Sequence, residues 1–264
     1  MRAIISLLLL SASTLTSACI YPRDGNAGWS YDGATGPTLW DKLSSNNAAC
    51  AEGKHQSPIN IDWAISAAKQ SSFDFPERAD FTILNNGHTI LAKPAEPSKF
   101  ASTLGGRVYE LLQFHFHTPS EHTLDGKGFP LEAHFVHSDA DGKLAVFGIF
   151  FTVGSGTSSP FFHKMDFKNL SANGDSAALK NVNLKPIMTH VRNAKARSYS
   201  GSLTTPPCTE GVSWFVAEAP LKISATQYAA LAQAMGFNAR FTQGVPGKEN
   251  ILAQQCGKRT TTTA

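Results

Sequence analysis

QFHFHTPSEHT, residues 113–123, alternates polar and aromatic side chains until Thr118-Pro119 breaks the pattern. In a strand, residues two apart share a face. Gln113, His115 and His117 therefore point one way, and Leu112, Phe114 and Phe116 the other. A second segment, LEAHFVHSD (131–139), places Glu132, His134 and Val136 on one face, with Ala133, Phe135 and His137 opposite. If the two strands are neighbours, the imidazoles of His115, His117 and His134 converge. Three histidines with one open position make the donor set of a catalytic zinc site.

A histidine on an apolar strand is ordinarily a hydrogen-bonded core or surface residue, and an H-x-H pair alone is weak evidence. The polar neighbours strengthen the case here. A histidine that binds a metal needs its other ring nitrogen fixed by an acceptor. Gln113 shares a face with His115, and Glu132 with His134. An unpartnered polar group in such apolar stretches would cost about 1–3 kcal/mol, which a place beside the metal ligands would account for. His163 and His190 are expected at the surface. His122 and His137 are expected to be structural and held by hydrogen bonds.

The remainder of the chain fits one β-rich domain. It has 264 residues, 42% hydrophobic and only 16% charged, enough for one large core. The formal charge of +3 comes without a dense Lys/Arg block, which argues against a nucleic-acid partner. Strands are predicted at Phe81–Leu84, Val108–His117, Leu131–His137, Leu144–Val153 and Val212–Ala217, and a helix at Ala225–Met235. Turns are predicted at Asp125–Gly128 and Asp139–Gly142.

Residues 1–18 combine Arg2, an apolar run and small residues ending at Ala18, the pattern of a secretion signal. Export to the periplasm or medium is therefore expected, with 19–27 as a linker, 28–254 as the catalytic domain and 255–264 as a polar tail. Ser17-Ala18-Cys19 also approaches a lipoprotein cleavage box, but Thr16 stands where an aliphatic residue is usual, so lipid anchoring through Cys19 is the minor alternative. An exported chain permits disulfides. The four cysteines allow three full pairings. Position favours Cys50 with Cys208, because Cys19 lies at the cleavage site and Cys256 near the tail. Cys256 is left free, paired with Cys19, or joining two chains into a homodimer.

Six segments in fixed order carry a resemblance that covers nearly the whole mature chain: GKHQSPINI (53–61), NNGHT (85–89), LLQFHFHTPSEHT (111–123), LEAHFVHSD (131–139), LAVFGIFF (144–151) and GSLTTPPCTEGVSWFV (201–216). Together they resemble the α-class carbonic anhydrases. WSYDGATGPTLW (29–40) and the Cys50/Cys208 pair look like the bacterial branch.

The resemblance implies a large, twisted, mostly antiparallel sheet with Zn2+ at the base of a conical cleft. It also implies reversible hydration of carbon dioxide to bicarbonate by zinc-bound hydroxide, with anions and sulfonamides as inhibitors. His115, His117 and His134 match the zinc ligands. Thr204 matches the hydroxyl that orients the hydroxide, Glu121 the carboxylate that takes the Thr204 proton, and His88 the proton shuttle. Val136, Val146, Leu203 and Trp214 match the carbon dioxide wall, and Tyr31, Asn86 and Thr205 the residues that order water. Two departures stand out. Leu91 replaces a polar residue three positions after the shuttle, and ENILAQQC (249–256) lacks the Arg and Pro of the family's Asn-x-Arg-Pro segment. A non-catalytic, carbonic-anhydrase-like binding protein is the second reading, and it would typically lack one or more ligand histidines.

Overall fold

The computed structural model describes residues 28–155 and 159–253. The expected signal segment (1–18), Cys19, the expected 19–27 linker, Cys256 and the expected 255–264 tail lie outside the described residues. The strands in chain order are β1 (Asn60–Ile61), β2 (Ser72–Asp74), β3 (Arg78–Asn85), β4 (Ile90–Pro94), β5 (Ala101–Leu104), β6 (Arg107–His117) and β7 (Thr123–Leu124). They continue as β8 (Leu131–Ser138), β9 (Leu144–Gly154), β10 (Ser176–Asn183), β11 (Ala196–Ser202), β12 (Glu210–Ala217) and β13 (Leu221–Ser224). Helices are short: α1 (Trp40–Leu43), α2 (Ala49–Glu52), α3 (Lys185–Asn193) and α4 (Ala225–Met235).

Eleven strands form one sheet along the path β10-β3-β4-β6-β8-β9-β12-β11. Off this path, β2 adds to β5, β5 to β6, and β13 to β9. The sheet is antiparallel except at β9, which pairs in parallel with β12 through Ala145–Gly148 and with β13 through Phe151–Gly154. The sheet is thus mixed at its centre. The sequence of β9 fits that position: a strand covered on both faces reads as a continuous apolar run, and every residue from Ala145 to Phe151 is buried. The predicted strands and the Ala225–Met235 helix lie within or coincide with observed elements. A capping box starts α4, with the Ser224 hydroxyl accepting from the Gln227 N–H.

The two faces of the sheet are chemically different. One carries the main core, in which Phe114 and Phe116 of β6 meet Ala133 and Phe135 of β8 and Phe147 and Ile149 of β9. The other carries a smaller apolar cluster of Val136, Val146, Phe150, Trp214 and Val216, with Ile59 and Ile61 packed over it. The histidines of β6 alternate with its phenylalanines and so face the second side.

One expectation needs correction. His190 is half-buried rather than on the surface, whereas His163 is exposed. His137 is fully buried and structural as expected, but its polar contacts are weak: the Phe135 and Ala145 backbone reaches the ring, and neither nitrogen gains a well-formed hydrogen bond. The ring also packs 5.2 Å from Phe73 and 6.5 Å from Phe75.

Burial pushes His137 down to about 3. The folded state then binds fewer protons than the unfolded state between pH ~6.5 and that value, so stability falls as pH drops through this window. The contribution to the slope is at most about 1.4 kcal/mol per pH unit. His137→Phe should have a flatter melting temperature against pH than the parent between pH 6.5 and 4. Parallel curves would show that the ring takes up its proton without unfolding.

Candidate metal centre

The antiparallel register of β6 and β8 sets His115 opposite His134 and His117 opposite Glu132. The ring centroids are 5.0 Å apart for His115 and His117, 5.3 Å for His115 and His134, and 4.6 Å for His117 and His134. One nitrogen of each ring is already committed. His115 Nδ1 donates to Gln113 Oε1 at 2.9 Å, His117 Nδ1 to the Asn238 carbonyl at 2.7 Å, and His134 Nε2 to Glu132 Oε1 at 2.9 Å. These acceptors fix the tautomers, leaving lone pairs on His115 Nε2, His117 Nε2 and His134 Nδ1. Ligand atoms from the three rings lie within 4.8 Å of one another.

Burial is the first cause lowering all three imidazoles, and the neighbouring rings add to it: His115 falls well below its usual value, His117 to about 4, and His134 also drops. The rings are therefore neutral donors. Glu121 Oε2 lies 3.4 Å from His117 Nε2 and 3.8 Å from His134 Nδ1. Neither His117 Nε2 nor Glu121 Oε2 has a hydrogen-bond partner, although both are buried. Two buried acceptors facing each other with no proton between them are the signature of a missing positive charge. The donor set fits a divalent metal.

A second cluster, His122 with Glu132 and His134, also has metal-like spacing. Its lone pairs are spent. Glu132 Oε2 accepts the backbone N–H groups of Glu121 and His122, both at 2.9 Å, and Oε1 accepts His122 Nδ1 at 2.8 Å in addition to His134. His122 Nε2 then accepts the Tyr199 hydroxyl at 2.7 Å, and Tyr199 in turn meets the Ser57 hydroxyl at 2.8 Å. Burial opposes charge on Glu132, but these imidazoles outweigh it and hold the carboxyl well below the usual range. The cluster is a supporting network, and Gly148 leaves room for it: a Cβ there would come 3.0 Å from Glu132 Oε1.

Glu121 is buried, and desolvation pushes it up to about 7 against the pull of His134, the Thr204 hydroxyl and the Arg240 N–H. Its Oε1 accepts that N–H at 2.9 Å. Asn238 and Arg240 are the residues that sequence reasoning missed. The family's Asn-x-Arg lies not at 249–256 but at Asn238-Ala239-Arg240, followed by Phe241 instead of Pro. The Arg240 guanidinium is buried, donates to Gln56 Oε1 and the Ser57 and Cys50 carbonyls, and lies 5.5 Å over the Trp40 ring. Cys50 and Cys208 are joined by a disulfide, beneath Trp40 and four residues past Thr204.

Val136 and Val146 face each other across β8 and β9, and Leu203 packs against the cluster they form with Trp214. The Trp214 ring lies 4.8 Å from His134, and its Nε1 donates to the Ser202 carbonyl. Leu91 is paired with His115 across β4 and β6, so the departure noted in the sequence sits beside the ligand set. His88 occupies a tight turn. Gly87 adopts φ of 84°, and Asn86 Oδ1 accepts the N–H groups of His88 and Thr89. The half-buried His88 ring stacks 3.7 Å from Trp29. It borders a cavity of about 460 Å3 with Tyr31, Phe237 and Asn238, and partial burial lowers its pKa. Tyr31 is close enough for Glu121 to add to the burial that raises its phenol. Thr205 accepts the Cys208 N–H through its carbonyl.

The comparisons agree with this geometry. The model of the eukaryotic-type carbonic anhydrases matches residues 35–259. A carbonic anhydrase of Pectobacterium atrosepticum is 35% identical over 82% of this chain and 87% of its own length. An Aspergillus oryzae α-carbonic anhydrase structure superposes with a TM-score of 0.82 at 35% identity, over 88% of this chain and 100% of its own. A Thermovibrio ammonificans α-carbonic anhydrase in complex with sulfanilamide gives 0.75 at 37% identity, over 86% and 99%. The fold and the convergent imidazoles define a β-sheet protein with a candidate metal centre, and the chain belongs to the α-carbonic anhydrase family.

Glu132→Gln keeps the shape but cannot accept from all four donors. Loss of such a partner typically costs about 10–100-fold in metal affinity. Competition with a chelator should show a fall of that size, and unchanged affinity would mean that Glu132 does not fix His134.

Proposed function

We propose that the chain is a zinc enzyme that interconverts carbon dioxide and bicarbonate. The observation that carries this reading is the set of three neutral imidazoles, each with one nitrogen fixed and the other turned to a common point beside Glu121. Zinc held by these three imidazoles would lower the pKa of water to about 7, a property for which carbonic anhydrase is itself the reference case. The non-catalytic alternative is not favoured, because all three ligands are present and backed by acceptors.

The chain's own residues set the remainder of the chemistry. The Thr204 hydroxyl donates a hydrogen bond to the Glu121 carboxylate and so presents a lone pair to the cleft. Glu121 stays ionised for this task, since a cation at the imidazoles opposes the burial that raises its pKa. Val136, Val146, Leu203 and Trp214 offer a neutral linear molecule an apolar wall with no competing hydrogen bond. His88 carries the released proton away from the cleft mouth, with a pKa range suited to the task. Tyr31 and Thr205 order water beside it. Asn86 shapes the turn that presents His88, its Oδ1 being occupied by backbone N–H groups.

Sulfonamides and anions are expected to inhibit at the imidazoles. Residues 1–18 are proposed as an export signal, and the Cys50–Cys208 bridge suits an oxidising compartment. No helix among the described residues is long and apolar enough to cross a membrane.

Metal analysis with a carbon dioxide hydration assay on the purified chain tests the proposal. About one zinc per chain and rapid hydration are expected, and a folded chain that holds zinc without hydrating carbon dioxide would refute it.

His88→Ala should retain zinc and slow maximal turnover in dilute buffer, with partial recovery on adding imidazole. Turnover that is the same at every buffer concentration would remove His88 from the proton route.

Val136→Tyr distinguishes a cleft wall from ordinary core. Overpacking a core costs about 1–3 kcal/mol. Facing the cleft, the ring should leave the melting temperature and zinc content near parental values while hydration drops steeply. Parental activity in a folded, zinc-loaded variant would place carbon dioxide elsewhere.

A further inference from the structure

A groove of about 530 Å3 lies away from the metal centre, between residues 67–71, the end of α3 and the start of β11. The walls are tied together by backbone. The Ala68 N–H donates to the Ala196 carbonyl at 2.8 Å, and Ala67 bridges to Arg197. Gln70 Nε2 reaches the Arg192 carbonyl at 3.4 Å, spanning the gap to α3. None of the residues assigned to the cleft lines this groove.

Its charge is one-sided. Lys69, Arg192, Lys195 and Arg197 line it against a single acid, Glu218. Glu218 is committed to Arg197 at 2.6 Å, and Arg197 also donates to the Ile65 carbonyl at 3.0 Å. Lys69, Arg192 and Lys195 form no ion pair among the described residues. The groove lining therefore carries a formal +3. The whole chain also carries +3, of which Arg2, Arg23, Asp24, Lys258 and Arg259, outside the described residues, account for all. The described residues are thus neutral in sum, and the groove's +3 is balanced by acids elsewhere. Charge concentrated in a concave site raises the local concentration of counter-ions.

The last turn of α3 points carbonyls toward this end, which opposes an anion. Two of them are spoken for: the His190 carbonyl accepts the Ala194 N–H, and the Arg192 carbonyl accepts Gln70. Three cations from two separate segments then remain to be compensated. The recess is too compact for a nucleic-acid track, and Ala67, Ala68, Ala194 and Ala196 are among its lining residues. A small multivalent oxyanion matches it, because lysine and arginine give the same ligand both point charge and forked hydrogen bonds. The geometry points to a binding site for a phosphate-class oxyanion, free or as a headgroup, held by Lys69, Arg192 and Lys195 with Arg197 at the floor.

The test titrates inorganic phosphate into the full chain at constant ionic strength and follows backbone amide shifts by NMR. Shifts should map to 69–71 and 192–197. The triple variant Lys69→Gln/Arg192→Gln/Lys195→Gln should bind about tenfold more weakly, each exposed pairing being worth a fraction of a kcal/mol. A charge-matched control, Lys54→Gln/Lys127→Gln/Lys168→Gln, should bind like the parent. Both variants should keep parental carbon dioxide hydration. If the triple variant does not fold, Lys195→Gln alone should weaken binding about two- to threefold. Flotation with phosphatidylcholine vesicles, with and without phosphatidylglycerol, separates the sources. Capture by the anionic vesicles alone, lost in the groove variant, supports a headgroup; phosphate binding without capture supports a soluble ligand. Absence of groove shifts, or equal weakening in the control, would overturn the site.

Discussion

The carboxylate of Glu132 is the constraint on which the candidate metal centre rests. It is completely buried and accepts four hydrogen bonds, from two backbone N–H groups and two imidazoles. The backbone pair fixes the 121–122 turn, and the imidazole pair fixes the tautomers of His122 and His134. A buried charge without partners is expensive, and breaking such a set by removing one member typically costs about 3–5 kcal/mol. Here the desolvation of one anion is offset by donors that the site needs in place anyway. Ligand orientation and local folding are therefore one event.

Register transmits this order across the sheet. A shift of one residue between β6 and β8 would turn His115 and His117 into the phenylalanine core and Phe114 and Phe116 toward the cleft. The aromatic packing of Phe114, Phe116 and Phe135 thus protects the metal site from the opposite face of the same strands. The irregularity between Leu111 and Gln113 resets the pairing just before the first ligand, so that His115 and His134 meet directly.

Much of this was legible in the sequence because period-two alternation reports faces directly. QFHFH and LEAHFV name the candidate ligands, the acceptors Gln113 and Glu132, and the apolar neighbour Val136 from spacing. What escaped is what depends on distant chain. The acceptor for His117 is a main-chain carbonyl, which any residue offers, so Asn238 carries no side-chain signal for that role. Arg240 could have been found from its Asn-x-Arg spacing, but its burial depends on Trp40, Gln56 and Cys50, all far away in sequence. His137 is legible only in part, since alternation reports its face without reporting its partners. The parallel pairings of β9 were also hidden, since a long apolar run does not show the direction of its neighbours.

The chemistry of His117 depends on a carbonyl 121 residues downstream, and Glu121 on an N–H 119 residues downstream. On the ribosome, β6 and β8 emerge long before the segment that completes their site. A chain stopped short of Asn238 would hold all three candidate ligand histidines but lack the carbonyl that fixes the His117 ring. The geometry of these two side chains is therefore complete only once the segment carrying Asn238 and Arg240 has docked.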